Sequence, residues 1–586
     1  MDIEGLSAYS SLIVDYSVIM EFGRSTVFLK LIDLIAEGGK DVYVSKSFKL
    51  FHYCVIHQGD ERNTSAATAM RDFCGILLQN RKLHSVQTSR TEDLLQLTAN
   101  IPDLCIVATE KSVFVKRLFE KKPSFAHDIC ILSSDNADYY KGSADLYENM
   151  PVEAISPLAS LNKYLEAPVY CNVGDVVVTG DSKQITLVKR ISAGAEGMVF
   201  TTDNPKIVAK IYHKGVITPL RWNKLTKMVA MGIRTLGICW PQDLLFYRGI
   251  PVGYTMMTGK GKTLGNVFDG PDAIKENFPK WKRVDVVGVL IDLLEKYLYL
   301  HMHDIIAGDI QLKNALLYSP SAIYLIDMDS VQVGNLPCPV GTEEFTDPRL
   351  WGRNFSEFLR VPMDEDYSVA MLVFSILFCG LHPYATRNGK ETLREEILEK
   401  NFPYTLDNSS TEHIPRGGYD HIWEYLPANI RQMLYDVFAL GKSYEAIEWY
   451  DAVTEYRDAL NNRKFEDEEA YKVFPKMDYD APSVSEEATS PAGRTAFMSR
   501  FEEVAAGDAL GKPNVFSGSL SGAAKASRMN NGFAPLQPSE PSPNKVPSGV
   551  FVPKANGNIP QSSSEENKGN EEDKPVFKRF KGIFGQ

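Results

Sequence analysis

Three polar residues at fixed spacing constrain this chain more than any other feature of its sequence. Asp309 lies five residues before Asn314 in the segment HMHDIIAGDIQLKNALL, and Asp327 follows thirteen residues later in IYLIDMDS. Carboxylate and amide oxygens are ligands that Mg²⁺ prefers, and a carboxylate can also orient an attacking hydroxyl and accept its proton. The spacing predicts a phosphoryl-transfer centre in which Asp309 is the base while Asn314 and Asp327 bind magnesium, or manganese in its place.

A glycine-containing turn and a lysine agree with this centre. The segment SAGAEGMVF carries Gly194, Gly197 and Val199 in the order of a nucleotide-binding loop, where glycines let backbone N–H groups approach phosphates. Lys210 lies eleven residues past Val199 in an alternating, strand-like run, where it must reach water or an anion. We expect these residues and Met257 to bind ATP, with Lys210 also acting in catalysis. The alternatives are a plain hairpin and a strand-edge lysine in water.

Length and composition bound the rest of the chain. At 586 residues it is too long for one hydrophobic core, and its net charge of -12 argues against a general nucleic-acid or anionic-membrane binder. The eight cysteines are scattered and never form Cys-x-x-Cys, which predicts core thiols rather than disulfides or a zinc site. The longest apolar run, Val369 to Leu381, is too short for a membrane span and is interpreted as a buried helix. We expect a cytoplasmic protein without a signal peptide or membrane association.

The pattern along the chain predicts four regions. The first alternates strand-like and helix-like stretches, which is typical of an α/β domain with a largely parallel sheet. The third region, residues 184–465, is predicted to have a small β lobe followed by a large α lobe. The last region, from residue 466, is rich in Pro, Ser, Gly and Asn. The regions are an α/β domain (1–140), an ordered linker (141–183), an α+β bilobal domain (184–465) and a largely disordered tail (466–586). Two tail segments, AGRTAFMSRFEEVAAGDAL and KPVFKRFKGIFGQ, are candidates for binding a partner protein.

Three acidic residues of the first region raise a separate possibility. Asp15 ends a strand-like run, Asp93 lies near a helix start, and Glu110 ends a later strand. Because the carboxyl ends of parallel strands meet at one edge of the sheet, these carboxylates could share a divalent metal suited to phosphodiester hydrolysis. The alternative is that Asp15 and Asp93 are cap or turn residues in a catalytically silent sensor.

The region from the glycine-containing turn through GDIQLKN, LIDMDSVQV, CPVGTEEFTDPRL and DYSVAMLVFSILFCGLHPY resembles a bacterial kinase-like family. That family occurs in tellurite-resistance and stress-associated gene neighbourhoods, and its members often carry helix-hairpin-helix modules. Its hallmarks match Gly308-Asp309 and the Asp-x-Asp-Ser of residues 327–330. The resemblance implies a serine/threonine-kinase-like fold, phosphorylation of protein hydroxyls and a catalytic loop braced by Asp366. The first region, through IVDYSVIM and IVATEKSVF, resembles the PIN-like nuclease fold.

The chain departs from these patterns at several positions. No glutamate lies in the helix-like segment 219–232, where an ion-pair partner for Lys210 is expected. Gln311 replaces a lysine that contacts the γ-phosphate, and Arg349 stands where a structural glutamate is expected. Asp329 replaces a glycine and is interpreted as a turn former, the alternative being a residue that supports the metal ligands from behind. In the first region Glu110 replaces an aspartate.

Three functions fit these observations. The first is an ATP- and Mg²⁺-dependent serine/threonine protein kinase that phosphorylates a protein substrate and itself, with the first domain sensing or recruiting targets. The second is a PIN-like, metal-dependent ribonuclease regulated by a kinase or pseudokinase domain, and only this function makes nucleic acid a partner. The third is an ATP-binding scaffold.

Overall fold

The computed structural model describes residues 3–464, apart from residues 24, 47, 49–60, 89, 135, 161–170, 236 and 463. The chain divides into two units, Met1–Leu510 and Gly511–Gln586, and every described residue belongs to the first. The tail predicted from residue 466, with both candidate partner-binding segments, lies outside the described residues.

An α/β domain with a largely parallel sheet opens the chain, as the sequence predicts. The strand order is β3-β2-β1-β4-β5-β6, in which β1 to β5 run parallel and β6 is antiparallel to β5. A 3₁₀ helix (Glu4–Ala8) precedes the strands β1 (Ser11–Val14), β2 (Asp41–Val44), β3 (Leu83–Ser85), β4 (Leu104–Thr109), β5 (Asp128–Leu132) and β6 (Ala137–Tyr140). The helices are α1 (Tyr16–Phe22), α2 (Thr26–Glu37), α3 (Glu61–Gln79), α4 (Thr91–Thr98), α5 (Val113–Lys121) and α6 (Gly142–Asn149).

The central strands of this sheet are apolar on both faces. In β1, Leu12 and Val14 pack in one core cluster while Ile13 packs in another on the opposite face. Consecutive residues in strands of a parallel sheet are apolar because helices cover both faces of the sheet. The cluster that contains Leu12 continues into the helices at the end of the described chain, including Tyr299 and Ile447. The sheet domain is therefore joined to those helices by a shared apolar core.

A closed antiparallel barrel follows the sheet domain. Its strand order is β10-β12-β11-β7-β8-β9. The strands are β7 (Val176–Thr179), β8 (Gln184–Ala193), β9 (Gly197–Thr202), β10 (Ile207–Tyr212), β11 (Asp243–Tyr247) and β12 (Ile250–Met257), with helix α7 (Pro219–Met231) between β10 and β11. Helix α7 begins at Thr218, whose hydroxyl accepts the N–H of Arg221, and ends at Gly232, whose positive φ of 61° suits glycine.

The segment interpreted as a linker, 141–183, forms part of both neighbouring domains. Helix α6 packs on β5 and β6 of the sheet domain, and β7 pairs with β8 and β11 in the barrel. A 3₁₀ helix, Pro157–Ser160, lies between them. The prolines and glycines that suggested a linker are equally typical of the turns that bound short elements. The barrel therefore begins at Val176 rather than at residue 184.

A mostly helical region completes the described chain. Its helices are α8 (Leu264–Val267), α9 (Pro271–Asn277), α10 (Arg283–Met302), α11 (Met363–Leu377), α12 (Leu393–Glu399), α13 (Tyr419–Glu424), α14 (Ala428–Phe438) and α15 (Ala446–Asn461). Short strands lie between them: β13 (Lys262–Thr263) with β15 (Ala315–Ser319) and β16 (Ala322–Leu325), and β14 (Ile305–Ile306) with β17 (Gln332–Val333). Four 3₁₀ helices interrupt the loops: Leu312–Asn314, Met328–Ser330, Glu343–Phe345 and Pro348–Leu350.

Helices α10 and α11 form the centre of this region. Both are buried along most of their length, as expected for helices that are apolar on nearly every side. The apolar run from Val369 is thus the buried helix that the sequence predicts. Within the described part of the chain, no helix has the length and apolar character needed to cross a bilayer. The cysteines that the structure describes are buried and free of disulfides.

Candidate active site

Lys210 lies in a row of side chains that crosses three strands of the barrel. It is paired with Val199 on β9 and with Tyr254 on β12. Directly opposed residues of antiparallel strands project from the same face, so the three side chains are neighbours. Lys210 is only 6% exposed. A lysine this buried requires a partner of opposite charge.

That partner is Asp329, which the sequence interpretation had treated as a turn former. The Lys210 ammonium donates to Oδ1 of Asp329 at 2.7 Å. The hydroxyls of Tyr212 and Tyr254 donate to the same carboxylate, at 2.5 Å and 2.9 Å. The Asp329 side chain is 1% exposed. The expected ion pair of Lys210 therefore exists, but its carboxylate follows β16 and does not come from helix α7.

The charges of this pair stabilise each other. Burial alone would raise the pKa of Asp329, but the Lys210 ammonium and its hydrogen bond outweigh burial and lower that pKa to about 2. Burial alone would lower the pKa of Lys210, but the carboxylates of Asp329 and Asp327 together outweigh burial, so that this pKa is raised. Both groups are therefore charged at neutral pH.

Asp327 contacts Lys210 from a more open position. Its Oδ1 lies 3.2 Å from the lysine Nζ, and its side chain is 58% exposed. The backbone of Asp327 is left-handed, with φ 58° and ψ 35°, which Asp and Asn tolerate better than most residues do. One carboxylate of the Asp-x-Asp segment is thus buried against the lysine, and the other faces solvent, where a ligand could reach it.

The hairpin of β15 and β16 brings Asn314 close to Asp327. Ala315 pairs with Leu325 in this hairpin, and the carbonyl of Asn314 accepts the N–H of Ile326 at 2.9 Å. Asn314 therefore lies beside the residue that precedes Asp327. The thirteen-residue spacing in the sequence is the length of this hairpin with its flanking residues.

Three donors converge on the carboxylate of Asp309. Thr342 Oγ1 donates to Oδ1 at 2.8 Å, while Gln311 Nε2 and Asn314 Nδ2 donate to Oδ2 at 2.8 Å and 2.9 Å. Asn314 Nδ2 also donates to the backbone carbonyl of Asp309 at 2.9 Å. Gln311, which the sequence interpretation placed where a lysine contacts phosphate, instead orients Asp309. Thr342 was not singled out from the sequence.

Gly308 is the residue that this tightly packed loop requires before Asp309. Its φ of 75° lies in the left-handed region, and an added Cβ would lie 2.5 Å from Sγ of Cys338 and 2.6 Å from Nη1 of Arg360. Arg360 also donates to the Gly308 carbonyl. A larger residue at this position would have to displace two buried side chains. The Gly-Asp pair therefore follows from local packing.

Glu365 braces the catalytic loop, whereas the sequence interpretation assigned that role to Asp366. The Glu365 Oε1 accepts the N–H of Gly308 at 2.6 Å, and its Oε2 lies 2.7 Å from Nε2 of His301. Asp366 points elsewhere and binds Arg117 of the sheet domain. The assignment was wrong by one residue because adjacent helix positions face different sides of the helix.

The glycine-containing turn joins β8 to β9 where the sequence predicts it. The N–H of Gly194 donates to the carbonyl of Gly197 at 2.9 Å and closes the turn. A Cβ on Gly197 would lie 2.4 Å from the carbonyl oxygen of Ile211, so this glycine is needed for the close approach of β10. The nearest atom to a Cβ on Gly194 is 3.9 Å away. Of the two glycines, Gly194 has space around it.

An arginine of helix α7 binds a glutamate of this turn. Arg221 donates from Nη2 to Glu196 at 2.5 Å, and its guanidinium stacks near the ring of Tyr212. Lys224 of the same helix is buried and donates to the carbonyls of Ser330 and Pro337. Helix α7 has no glutamate that could pair with Lys210. Its two cations instead bind the glycine-containing turn and the segment that follows Asp329.

Met257 and Val199 belong to an apolar surface next to Lys210. Both are partly buried and pack in one cluster with Leu316 and Ile326 of the β15–β16 hairpin. Partly exposed apolar side chains beside a buried cation would suit a flat aromatic base joined to phosphates. Leu316 and Ile326 were missed from the sequence, although each lies within two residues of a predicted metal ligand.

Arg349 hydrogen-bonds to a residue two positions earlier in the chain. Its guanidinium donates to Asp347, at 2.9 Å from Nε and 2.8 Å from Nη2. The Asp347 carboxylate also accepts the Arg349 N–H and begins the 3₁₀ helix Pro348–Leu350. The structure assigns Arg349 to the ordering of this short helix.

In the sheet domain, Asp15 is a helix cap. It accepts the N–H of Ser17 at 3.0 Å at the start of α1, and it also accepts the hydroxyl of Ser112 at 2.8 Å. Burial raises the pKa of Asp15 above its ordinary value. Both groups donate to the same oxygen, Oδ2, so the side chain of Asp15 has a structural role at the start of α1.

The other two predicted carboxylates do not join Asp15. Asp93 lies in the first turn of α4, 4.0 Å from Nε of Arg90, and Glu110 is exposed in the turn after β4. Among the side chains that the structure describes, no group of three or more His, Cys, Asp and Glu residues is arranged to hold a metal ion. That finding does not bear on the set around Asp309, because one of its three members is an asparagine.

The carboxyl edge of the sheet, where a nuclease site was expected, faces α10 and α15. A cavity of about 60 Å³ lies between them, lined by Asp15 and Phe114 on one side and by His301 and Ile447 on the other. This edge therefore serves as a contact surface within the chain.

Comparisons with known proteins give a distant likeness to bacterial protein kinases. The chain is 28% identical over 249 residues to protein kinase YegI of Escherichia coli strain K12, which covers 40% of this chain and 38% of YegI. It is 28% identical over 247 residues to protein kinase YegI of Escherichia coli O157:H7, which covers 39% and 38%. The chain thus matches less than half the length of these curated relatives. No protein-family model matches it.

Proposed function

We propose that the chain is a serine/threonine protein kinase that transfers phosphate from ATP, with Mg²⁺ or Mn²⁺, to protein hydroxyls, including its own. The observation that carries the proposal is the set of three donors on Asp309. The barrel and the helical region would be the two lobes of a kinase-like fold, with the site between them. The distant likeness to proteins named protein kinase supports this reading.

Asp309 is held ready to receive a hydroxyl proton. A carboxylate has about four lone-pair positions, and Gln311, Asn314 and Thr342 occupy three of them. Oδ2 accepts two of these donors and Oδ1 accepts one, so Oδ1 has room for a substrate hydroxyl. Fixed donors keep the carboxylate in one orientation, which is what a general base requires.

The donor set fits a magnesium ion. Asn314 uses its Nδ2 for both bonds to Asp309, so its Oδ1 is the atom that would face a cation. The Asp327 carboxylate is more than half exposed and lies beside it. Oxygen ligands from one amide and one carboxylate, completed by phosphate and water, match what magnesium prefers in phosphoryl-transfer sites.

Lys210 would bind the phosphates of ATP. Its ammonium has three protons, of which Asp329 and Asp327 accept one each. The buried Asp329 would keep the lysine charged and pointed at the site when Asp327 binds the metal. Val199, Met257 and the hairpin residues would contact the base. When bound, ATP and its metal supply the phosphoryl group and offset its charge.

A labelled-phosphate experiment tests this function. The full chain is incubated with γ-labelled ATP and Mg²⁺, and incorporation into Ser and Thr residues is measured. Asp309→Ala should abolish incorporation while retaining ATP binding. The control is Asp272→Ala, because the Asp272 side chain is 97% exposed. Incorporation that persists in Asp309→Ala would refute the assignment of this residue, and ATP binding without transfer in the unmodified chain would favour the scaffold function.

No observation favours the ribonuclease. Among the described side chains, the three carboxylates expected to bind its metal form no group arranged to hold an ion, and the sheet edge that would carry them is covered by α10 and α15. The sheet domain therefore calls for a different explanation.

A further inference from the structure

Arg117 of helix α5 is buried between the sheet domain and the helical region. Its side chain is 1% exposed, and its two terminal nitrogens donate to the two carboxylate oxygens of Asp366, each at 2.6 Å. Carboxylates of Glu445 and Glu120 each lie 3.7 Å from the guanidinium. A bidentate pair fixes orientation as well as charge. Arg117 therefore holds α5 in one position on helix α11.

Two further contacts of α5 reach the same part of the helical region. Lys116 pairs with Asp304, whose φ of 58° is a left-handed conformation that non-glycine residues adopt at a cost. Glu120 Oε1 accepts the N–H of Met363 at 3.2 Å, at the start of α11. Besides the contact with Glu445, these three charged side chains of helix α5 therefore contact two segments, one at Asp304 and one at the start of α11.

Both segments carry the catalytic loop. Asp304 lies directly before β14 and five residues before Asp309. Asp366 is adjacent in sequence to Glu365, which accepts the N–H of Gly308 at 2.6 Å. A displacement of either segment would therefore move the backbone that leads into Asp309.

We propose that Arg117 is a positioning residue for phosphoryl transfer, supplied by the sheet domain, and that it acts through Asp366 and Glu365 on the backbone before Asp309. This inference rests on the proposed kinase function. The sheet domain is then a working part of the transfer site, and its covered carboxyl edge is the surface by which it is attached.

The charges around Arg117 explain why it would matter. Without the guanidinium, the carboxylates of Asp366, Glu445 and Glu120 would be left near one another in a buried space. Buried like charges repel and must separate, take up protons or admit water. Separation of the carboxylates or entry of water would shift the start of α11, where Glu365 is held, and loss of the bidentate pair would release Asp366 in every case.

Another ion pair between the same two domains, away from the loop that precedes Asp309, provides a control. Lys46 of the sheet domain lies 2.9 Å from Asp451 on α15, with side chains 37% and 23% exposed. It joins the same domains, but Asp451 is distant in sequence from both segments that carry the catalytic loop. Lys46→Met therefore weakens domain attachment without touching α11 or β14.

The experiment compares Arg117→Met, Asp366→Asn and Lys46→Met in the full chain. Steady-state transfer gives kcat and the KM for ATP, and hydrogen exchange gives the protection of the Gly308 and Asp309 amides. For Arg117→Met we expect kcat to fall by about tenfold or more with the KM for ATP changed less than about twofold, since misplaced catalytic groups cost rate rather than binding. Exchange at Gly308 should rise in the same variant. Lys46→Met should leave both quantities at wild-type values.

Two results would overturn the inference. One is unchanged Gly308 exchange in a folded Arg117→Met variant, and the other is an equal loss of kcat in Lys46→Met. Should Arg117→Met fail to fold, Asp366→Asn carries the same test with the same two readings, because it removes the charge that Arg117 binds and keeps the size of the side chain. If the unmodified chain transfers no phosphate, the proposed kinase function fails by itself, and Gly308 exchange still decides whether Arg117 positions the loop.

Discussion

Asp329→Asn removes the charge that balances Lys210 while keeping the size of the side chain. Both partners are buried, so the lysine would retain only Asp327, whose carboxylate is 58% exposed and 3.2 Å away. Two tyrosine hydroxyls would also exchange a charged acceptor for a neutral one. We expect this substitution to destabilise the barrel and the hairpin that meets it.

The size of the effect follows from the buried pair. A pKa of about 2 for Asp329, in place of 3.8, corresponds to about 2 kcal/mol of net stabilisation of its carboxylate. Removing one partner of a buried pair typically costs about 3 to 5 kcal/mol, because the other charge stays buried. The expected loss is therefore about 3 kcal/mol at pH 7. Because this pKa is depressed, the stabilisation is complete above pH 3.8 and is lost as the pH falls through 2.

Asp327→Asn is the matched comparison. Asp327 lies two residues before Asp329 and contacts the same lysine, Lys210. Its side chain is largely exposed, and exposed ion pairs contribute at most about 1 kcal/mol to stability. Equilibrium urea unfolding at pH 7, followed by circular dichroism and by tryptophan fluorescence, measures both variants. We expect a large loss of stability with Asp329→Asn and a small one with Asp327→Asn. The labelled-phosphate assay should show transfer abolished in Asp327→Asn despite its near-normal stability. Equal stability of the two variants would refute the assignment of Asp329 as the counter-ion.

Three further predictions concern other parts of the site. Gly197→Ala should destabilise the chain by about 1 to 3 kcal/mol, because its Cβ would lie 2.4 Å from a backbone carbonyl, whereas Gly194→Ala should be tolerated; thermal unfolding compares the two. Glu365→Ala should cost about 1 to 3 kcal/mol, since it leaves the buried N–H of Gly308 unpaired, and urea unfolding measures the loss. Burial lowers the pKa of Lys224 to about 8 from 10.5, so the folded chain gains stability as pH rises from 8 to 10.5, by about 3 kcal/mol. That gain should be missing in Lys224→Met when both unfolding curves are measured across this range.

The local spacing of residues was enough to predict which polar residues the fold brings close together. Asp309 and Asn314 lie within one loop, and a short hairpin brings Asp327 beside them, so their proximity depends on few elements. The strand position of Lys210 was likewise visible in its alternating neighbours. The sheet domain could also be predicted from local patterns, because continuous apolar strands alternate with helix-like segments in the sequence.

The remaining contacts depend on how distant elements meet. Asp329 is the counter-ion of Lys210, which lies on a strand more than a hundred residues earlier. Spacing in the sequence cannot reveal such a contact. Glu365 and Asp366 differ only in which side of α11 they face. Asp15 and Glu110 both follow strands, yet capping geometry and exposure decided that they do not share a site. In each case the missing information was the direction of a side chain relative to a remote partner.

The placement of the Lys210 counter-ion has a consequence for how such an enzyme can be switched. When a lysine is paired through a mobile helix, swinging that helix outward disconnects the lysine and turns the enzyme off. Here the partner Asp329 lies two residues from Asp327, the proposed metal ligand, so a movement of α7 would break its contact with Glu196 and leave Lys210 paired. The ion pair of Lys210 and Asp329 does not depend on the position of α7. An inactive state would therefore require a different change, such as displacement of the loop that contains Asp309.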